Sequence, residues 1–303
     1  MSEKYFPEKK ENCAYTLINF GLMKLLQRLF AFYINSSIHV ALAVLALTAI
    51  TVLEFKLVVP LELWVFVFSV TALGYNFVKY AKIAGLNHRR LTHSLKAIQI
   101  FSAVCFVLFL FTVFFIPLDV VLITACFGIL TFLYAVPLLR HKNLRNFTGV
   151  KIFIVALVWA GISVLVPLAA AGYGFSNEMG LAFAQRAIIV VVLILPFEIR
   201  DIPYDDLTLR TLPQQIGVVG TKILGIGLLL LCVMLRFFRD ADQFGHVVVF
   251  WVFVIVLGGM LMVSRPAQSR YFASFWVEGL PILWWLLLIS IEVFQGFGFV
   301  LIS

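Results

Sequence analysis

Apolar stretches long enough to cross a lipid bilayer recur along almost the whole chain. A helix that crosses a hydrocarbon core of ~30 Å needs roughly 20 mostly apolar residues, and about nine stretches approach that length. They lie at residues 36–54, 61–78, 97–116, 118–137, 152–170, 185–199, 222–238, 247–263 and 279–301. We therefore predict an all-α integral membrane protein with about nine transmembrane helices.

The composition excludes a water-soluble fold. Apolar residues make up 63% of the chain and charged residues 13%, whereas soluble domains average roughly 45–50% and 25%. No linker rich in Pro, Gly or Ser separates the apolar stretches. We predict one transmembrane domain, residues 36–303, after a cytoplasmic N-terminal tail, residues 1–35. The apolar and basic residues between Glu11 and Ser36 fit either an amphipathic helix in the membrane interface or a lead-in to the first span.

The positive charge follows the predicted membrane boundaries. The net charge is +8, and if the N-terminus is inside, 19 of the 23 Lys and Arg residues fall in inner segments. The four left outside are Lys56, Arg186, Arg236 and Arg239. Basic residues prefer the cytoplasmic side, so we predict a multi-pass protein of the bacterial inner membrane with a cytoplasmic N-terminus and an external C-terminus. The bilayer accounts for the basic balance, and we expect no nucleic-acid partner.

Four carboxylates lie within nine residues at the inner end of the sixth predicted span. They are Glu198, Asp201, Asp205 and Asp206. Asp201 and Asp205 have the i, i+4 spacing that places two side chains on one helical face, and Mg²⁺ prefers one or two carboxylates together with substrate phosphate oxygens. Pro203 disfavours an uninterrupted helix, so these carboxylates either share a face or meet across a break. The alternative is a solvated acidic loop that Arg200 and Arg210 balance.

Two segments resemble motifs of the UbiA-type membrane prenyltransferases. The second aspartate motif of that family and its trailing segment resemble the run Arg200-Asp201-x-x-x-Asp205 with Thr211-Leu212-Pro213 and Gly217. The Tyr-x-x-Pro and basic residues that close the family's fourth span resemble Tyr134-Ala135-Val136-Pro137 and Arg140. Nine spans with loops that open inward also resemble the family's architecture. The resemblance implies a UbiA-like helical bundle.

The family's first aspartate motif is altered in this chain. The family pattern NDxxDxxxD falls between spans two and three, where Asn76 matches its first position. The three aspartate positions are occupied by Phe77, Tyr80 and Ala84. Lys79 and Lys82 stand in the same segment, and as fixed charges they are candidates to contact phosphate directly.

The resemblance implies transfer of a polyprenyl group from a prenyl diphosphate to an aromatic or other lipophilic acceptor, as in quinone and isoprenoid lipid biosynthesis. It implies that Asp201 and Asp205 are the catalytic residues and hold one Mg²⁺. We predict diphosphate contacts from Asn76, Lys79, Lys82, Arg140 and Arg200. Metal and basic residues would neutralise the leaving diphosphate while an allylic cation develops.

Other interpretations stay open at this point. A non-catalytic relative that binds an isoprenoid or serves as a partner subunit would explain the altered first motif, and Lys79 and Lys82 would then be topology signals. A transporter is disfavoured because most charges lie at span ends rather than in the middle of spans. Glu278 and Glu292, in or near the last span, have no obvious cationic partner in the sequence. Glu292 fits a cavity or a packed, protonated position equally well.

Overall fold

The computed structural model describes residues 23–84, 93–135, 150–205, 210–239 and 244–300. These residues form helices joined by short connections and contain no β-strand. The α-helices are α1 Met23–Asn35, α2 Ile38–Glu54, α3 Leu61–Ala84, α4 His93–Val113, α5 Leu118–Ala135, α6 Val150–Ala160, α7 Val166–Ala170, α8 Asn177–Asp201, α9 Leu212–Arg236, α10 Phe244–Val263 and α11 Leu280–Val300. Two π-helices accompany them, π1 Gly161–Leu165 and π2 Phe272–Val277.

The number of spans agrees with the sequence analysis. Eight helical segments in the described ranges are long and apolar enough to cross a membrane, and α1 with α2, bent by 55° at their junction, brings the number to nine. The segment from α6 through π1 to α7 forms one of these spans, and π2 with α11 forms another. The prediction of an all-α integral membrane bundle with about nine transmembrane helices is confirmed.

The bundle core lies around α2 and α8. Leu47 of α2, Ile189 of α8 and Leu257 of α10 are fully buried in one apolar cluster that also draws on α3, α6, α9 and α11. On α4, in contrast, large apolar side chains such as Val107 and Phe111 point outward. Lipid tails are as apolar as these side chains, so close packing rather than hydrophobicity distinguishes the inside of such a bundle.

Two span boundaries differ from the sequence analysis. The predicted span 185–199 is short, whereas α8 runs from Asn177 to Asp201. The predicted span omits residues 177–184, which begin with the polar pair Asn177 and Glu178. Gln185 and Arg186, with which the predicted span begins, are buried between helices rather than exposed to water. The predicted span 222–238 likewise starts too late, since α9 begins at Leu212 and bends at Gly217, whose φ of 73° is a left-handed value that glycine adopts readily.

A buried cluster of charges joins α2, α8 and α9 at the end of α8 that carries its N-terminus. Glu54 accepts hydrogen bonds from Arg236 at 2.7 Å and Arg239 at 3.2 Å, and Arg186 lies 3.6 Å from the same carboxylate. Arg239 also donates to Glu178 at 2.8 Å. We call these five residues the outer charge cluster. Three of the four basic residues that the topology prediction left outside therefore have buried carboxylate partners.

Candidate functional site

The acidic segment at the inner end of α8 keeps a helical turn in spite of its proline. The backbone N–H of Asp205 donates to the carbonyl of Asp201 at 2.9 Å, which is the i→i−4 bond of an α-helix. Pro203 is compatible with this turn because the bond spans it without using its nitrogen. Asp201 and Asp205 therefore lie about one turn apart on the same side, rather than across a break.

The two aspartates differ in their partners. Arg200 donates to both oxygens of Asp201, through Nε at 2.8 Å and Nη2 at 3.4 Å. The Oδ2 atom of Asp205 is buried, and no donor reaches it among the residues that the structure describes. A buried acceptor without a donor is costly, so this oxygen is the atom of the segment best placed to receive a cation.

Lys79 lies at the inner end of α3 and points towards the junction between α1 and α2. Its Nζ atom donates to the backbone carbonyl of Asn35 at 3.0 Å, and the hydroxyl of Tyr80 donates to the same oxygen at 2.8 Å. The ammonium group keeps two further N–H donors. The ammonium charge of Lys79 is close enough to interact with the carboxylate of Glu278.

Glu278 follows π2 and was left without a partner in the sequence analysis. This residue is half-buried in the turn between π2 and α11. The charges of Lys79 and Arg200 both act on its carboxylate. Side chains from α3, α8 and the start of α11 therefore meet at one end of the bundle.

An aromatic and ionic wall adjoins these charges. The indole N–H of Trp159 donates to the hydroxyl of Tyr75 at 2.6 Å. Lys151 forms an ion pair with Glu198, whose side chain is only 2% exposed. Glu198, which the sequence analysis grouped with the acidic loop, is therefore already neutralised inside the bundle. Asp201 and Tyr134 act electrostatically on Lys151, which places Tyr134 near the acidic turn.

Asn76, Lys82 and Arg140 are the remaining predicted site residues. The amide of Asn76 donates to the hydroxyl of Ser102 on α4 at 2.9 Å. The side chain of Lys82 and the whole of Arg140 lie outside the described residues, so their roles stay predictions. Across the described ranges, no group of three or more His, Cys, Asp or Glu side chains could hold a metal ion. A metal here would depend on the two aspartates and on ligands supplied by a substrate.

The fold and these side chains define a polytopic all-α membrane protein with ionisable groups gathered at one end of its bundle. Comparison with solved structures gives this class a precise form. A UbiA homologue from Archaeoglobus fulgidus bound to DMAPP and Mg²⁺ superposes with a TM-score of 0.59 at 11% identity, over 86% of this chain and 98% of the homologue. The same homologue bound to GPP and Mg²⁺ gives 0.58 at 12% identity, with the same coverage.

A digeranylgeranylglyceryl phosphate synthase structure gives a TM-score of 0.53 at 16% identity, over 87% of this chain and 98% of the synthase. No protein-family model matches the sequence, and no curated protein sequence does. The likeness therefore rests on structure. This chain has the fold of the UbiA-type membrane prenyltransferases.

Proposed function

We propose that this protein is a membrane prenyltransferase that transfers a polyprenyl group from a prenyl diphosphate to an aromatic or other lipophilic acceptor. The observation that carries the proposal is the buried, donor-free Oδ2 atom of Asp205. It lies one helical turn from the Arg200–Asp201 pair, at the end of a UbiA-type bundle that also carries Lys79. Carboxylates and cations gathered in this way fit a diphosphate bound together with a metal ion.

The residues present fit a single Mg²⁺ ion. Mg²⁺ is usually bound through one or two protein carboxylates plus substrate phosphates, and Asp205 with Asp201 supplies that number. When bound, Mg²⁺ would neutralise the diphosphate as it becomes the leaving group. The related structures with DMAPP or GPP contain the same ion, which supports this assignment.

The protein's own cations would hold the diphosphate. Arg200 presents a planar fork of donors, part of which is already fixed on Asp201, and such forks bind phosphate strongly. Lys79 contributes a point charge from the opposite helix. Asn76, Lys82 and Arg140 remain proposed contacts. The aromatic rings of Tyr75 and Trp159 would lie beside the prenyl group, where their faces favour a developing allylic cation.

We also propose that this end of the bundle faces the cytoplasm of a bacterial cell, with the N-terminus inside and the C-terminus outside. The reason is the concentration of basic residues at the same end. The opposite end holds the outer charge cluster, whose arginines are paired with Glu54 and Glu178. Because they are paired inside the protein, these arginines do not count against the orientation.

A second candidate is a non-catalytic protein that binds an isoprenoid or acts as a partner subunit. Two residues at former aspartate positions favour it because they have structural contacts instead. The ring of Phe77 stacks on Phe132 with centroids 5.9 Å apart, and the hydroxyl of Tyr80 is bound to Asn35. Aromatic packing thus takes the place where the family pattern keeps metal-binding carboxylates.

The proposed function is tested with the purified full-length protein in lipid nanodiscs. We expect transfer from at least one of several prenyl diphosphates of different chain length to a panel of phenols, aryl acids and lipid alcohols. Transfer should require Mg²⁺ and stop on chelation. Binding of prenyl diphosphate without any product would contradict the enzyme and favour the second candidate. Binding of neither substrate would remove both.

Replacing Lys79 by alanine should weaken prenyl-diphosphate binding by about 1.5–3 kcal/mol, the usual scale of a hydrogen bond to a charged group. Calorimetric titration of the variant measures this. Lys222→Ala is the matched control. Lys222 lies on α9, and like Lys79 it donates to a backbone carbonyl, that of Met262 at 2.7 Å. Equal affinities for the two variants would show that Lys79 is only a topology signal.

A further inference from the structure

Glu278 is a carboxylate at this end of the bundle that the proposed diphosphate site does not use. Within the described part of the chain, no hydrogen-bond or ion-pair partner reaches its side chain. The other carboxylates at this end differ, since Glu198 is paired with Lys151 and Asp201 with Arg200. Glu278 lies within a candidate membrane span, and an ionisable residue inside a span points to a functional site because its presence there is costly.

The backbone before Glu278 is held in an unusual and well-supported conformation. Its N–H donates to the carbonyl of Ala273 at 3.1 Å, an i→i−5 bond of π2. The imidazole of His39 contacts the carbonyl of Phe275 at 2.9 Å, and Tyr33 contacts the other ring nitrogen at 2.7 Å. Single π-helical turns are frequent at functional sites because they shift the direction of the following side chain.

Close approach at the next residue fixes this geometry further. A Cβ atom on Gly279 would lie 2.7 Å from the carbonyl oxygen of Phe275 and 3.3 Å from the ring of His39. Only glycine fits there without a backbone shift. The direction of Glu278 is therefore set by contacts from α1, α2 and π2, as preorganised reactive groups require.

The charged and titratable groups around Glu278 come from three other elements. They interact electrostatically with its carboxylate, and they are Lys79 and Tyr75 of α3, Arg200 of α8 and Tyr33 of α1. A carboxylate and a diphosphate repel each other, so the diphosphate would bind towards Asp205 and its metal ion. Glu278 is then left to the side of the site that would hold the prenyl group and the acceptor.

We propose that Glu278 is the general base that accepts the proton lost by the acceptor; this inference rests on the proposed prenyl transfer. In that reaction the bond between C1 of the prenyl group and its diphosphate oxygen breaks, and the electron pair leaves with the diphosphate. A new bond forms between C1 and an aromatic carbon or a hydroxyl oxygen of the acceptor. The proton on that carbon or oxygen is transferred to the Glu278 carboxylate, so the acceptor must be an arene or an alcohol with a proton to lose.

Glu278→Gln tests the assignment because glutamine keeps the shape but cannot accept the proton. A positioned general base contributes typically 10²–10⁴-fold, so kcat for transfer should fall by about that factor. Exchange of ¹⁸O between the bridging and non-bridging positions of the prenyl diphosphate reports ionisation without acceptor chemistry, and it should continue at the wild-type rate. The fall of the wild-type rate towards low pH should disappear in this variant, and Glu278→Asp should recover part of the activity.

Glu292→Gln is the matched control, since Glu292 lies in the same candidate span but contacts His246 at 2.7 Å. Its transfer rate should stay close to that of the wild type. Transfer by Glu278→Gln within threefold of the wild type would overturn the inference alone. Parallel loss of diphosphate binding and exchange would also overturn it, and would make Glu278 a positioning residue for Lys79 and Arg200. Absence of binding and exchange in the wild type would remove the proposed function and the inference together.

Discussion

Replacing Glu54 by glutamine is expected to destabilise the folded protein by about 3–5 kcal/mol, the scale for removing one partner of a buried ion pair. Glu54 is 2% exposed and is the only carboxylate of the outer charge cluster that contacts all three of its arginines. Its loss removes the carboxylate that Arg186, Arg236 and Arg239 share, so their buried positive charges then face one another. The penalty follows from buried positive charge rather than from lost packing, because the side chain keeps its volume.

Unfolding in mixed micelles with increasing SDS measures this loss. Glu62→Gln is the control: it also removes one carboxylate near the same end of the bundle, but Glu62 is only partly buried at the start of α3. We expect a change below about 0.5 kcal/mol there. Combining Glu54→Gln with Arg236→Met should recover part of the stability, because one of the three buried positive charges is removed together with the carboxylate. Equal stability of the two single variants would contradict this account of the cluster.

The outer charge cluster shows why sequence reasoning stops at topology. Apolar length alone predicted the spans, and charge asymmetry assigned Arg186, Arg236 and Arg239 to the outside. The sequence contains no local sign that these residues share a partner, since Glu54 and Arg236 are 182 positions apart. Only the arrangement of α2, α8 and α9 brings them together. For the same reason the start of α8 was placed too late.

The candidate site divides in a similar way. The motif around Asp201 and Asp205 is local, so spacing and family resemblance identified it, and the helical turn across Pro203 decides between the two arrangements that the sequence leaves open. Glu278 was noticed as an ionisable residue near a span, but its neighbours Lys79 and Arg200 belong to distant helices. The pattern of apolar residues in the sequence does not reveal that these three side chains lie near one another, because they approach only after the helices have packed.

The altered first motif has a physical consequence for charge. In the family pattern, carboxylates at the positions of Phe77 and Tyr80 would hold a second metal ion. Here the ring of Phe77 stacks on Phe132, and the hydroxyl of Tyr80 donates to the carbonyl of Asn35. Negative charge at this end is therefore reduced and positive charge from Lys79 is added. A diphosphate can then be neutralised by one metal ion together with fixed cations, which makes the remaining aspartates more important.

Asp205→Asn is accordingly expected to reduce kcat for prenyl transfer by about 10²–10³-fold, the scale for removing a group that stabilises developing charge in a transition state. The reason is that Oδ2 of Asp205 is buried and has no donor in the described structure, so it is available to hold the metal ion. Asp201→Asn should have a smaller effect, by about tenfold. Removing that carboxylate frees Arg200, which can then donate to the diphosphate and compensate in part.

Rates measured over a range of Mg²⁺ concentrations separate these effects. Asp205→Asn should need far more Mg²⁺ to reach its reduced maximum, whereas Asp201→Asn should show a weaker dependence on the metal because an arginine does part of the neutralisation. Asp119→Asn is the control, since Asp119 is an exposed aspartate at the start of α5 and its loss should leave both the rate and the Mg²⁺ dependence unchanged. A larger loss for Asp201→Asn than for Asp205→Asn would contradict the assignment, because it would mean that the metal ion depends on the carboxylate already bound to Arg200.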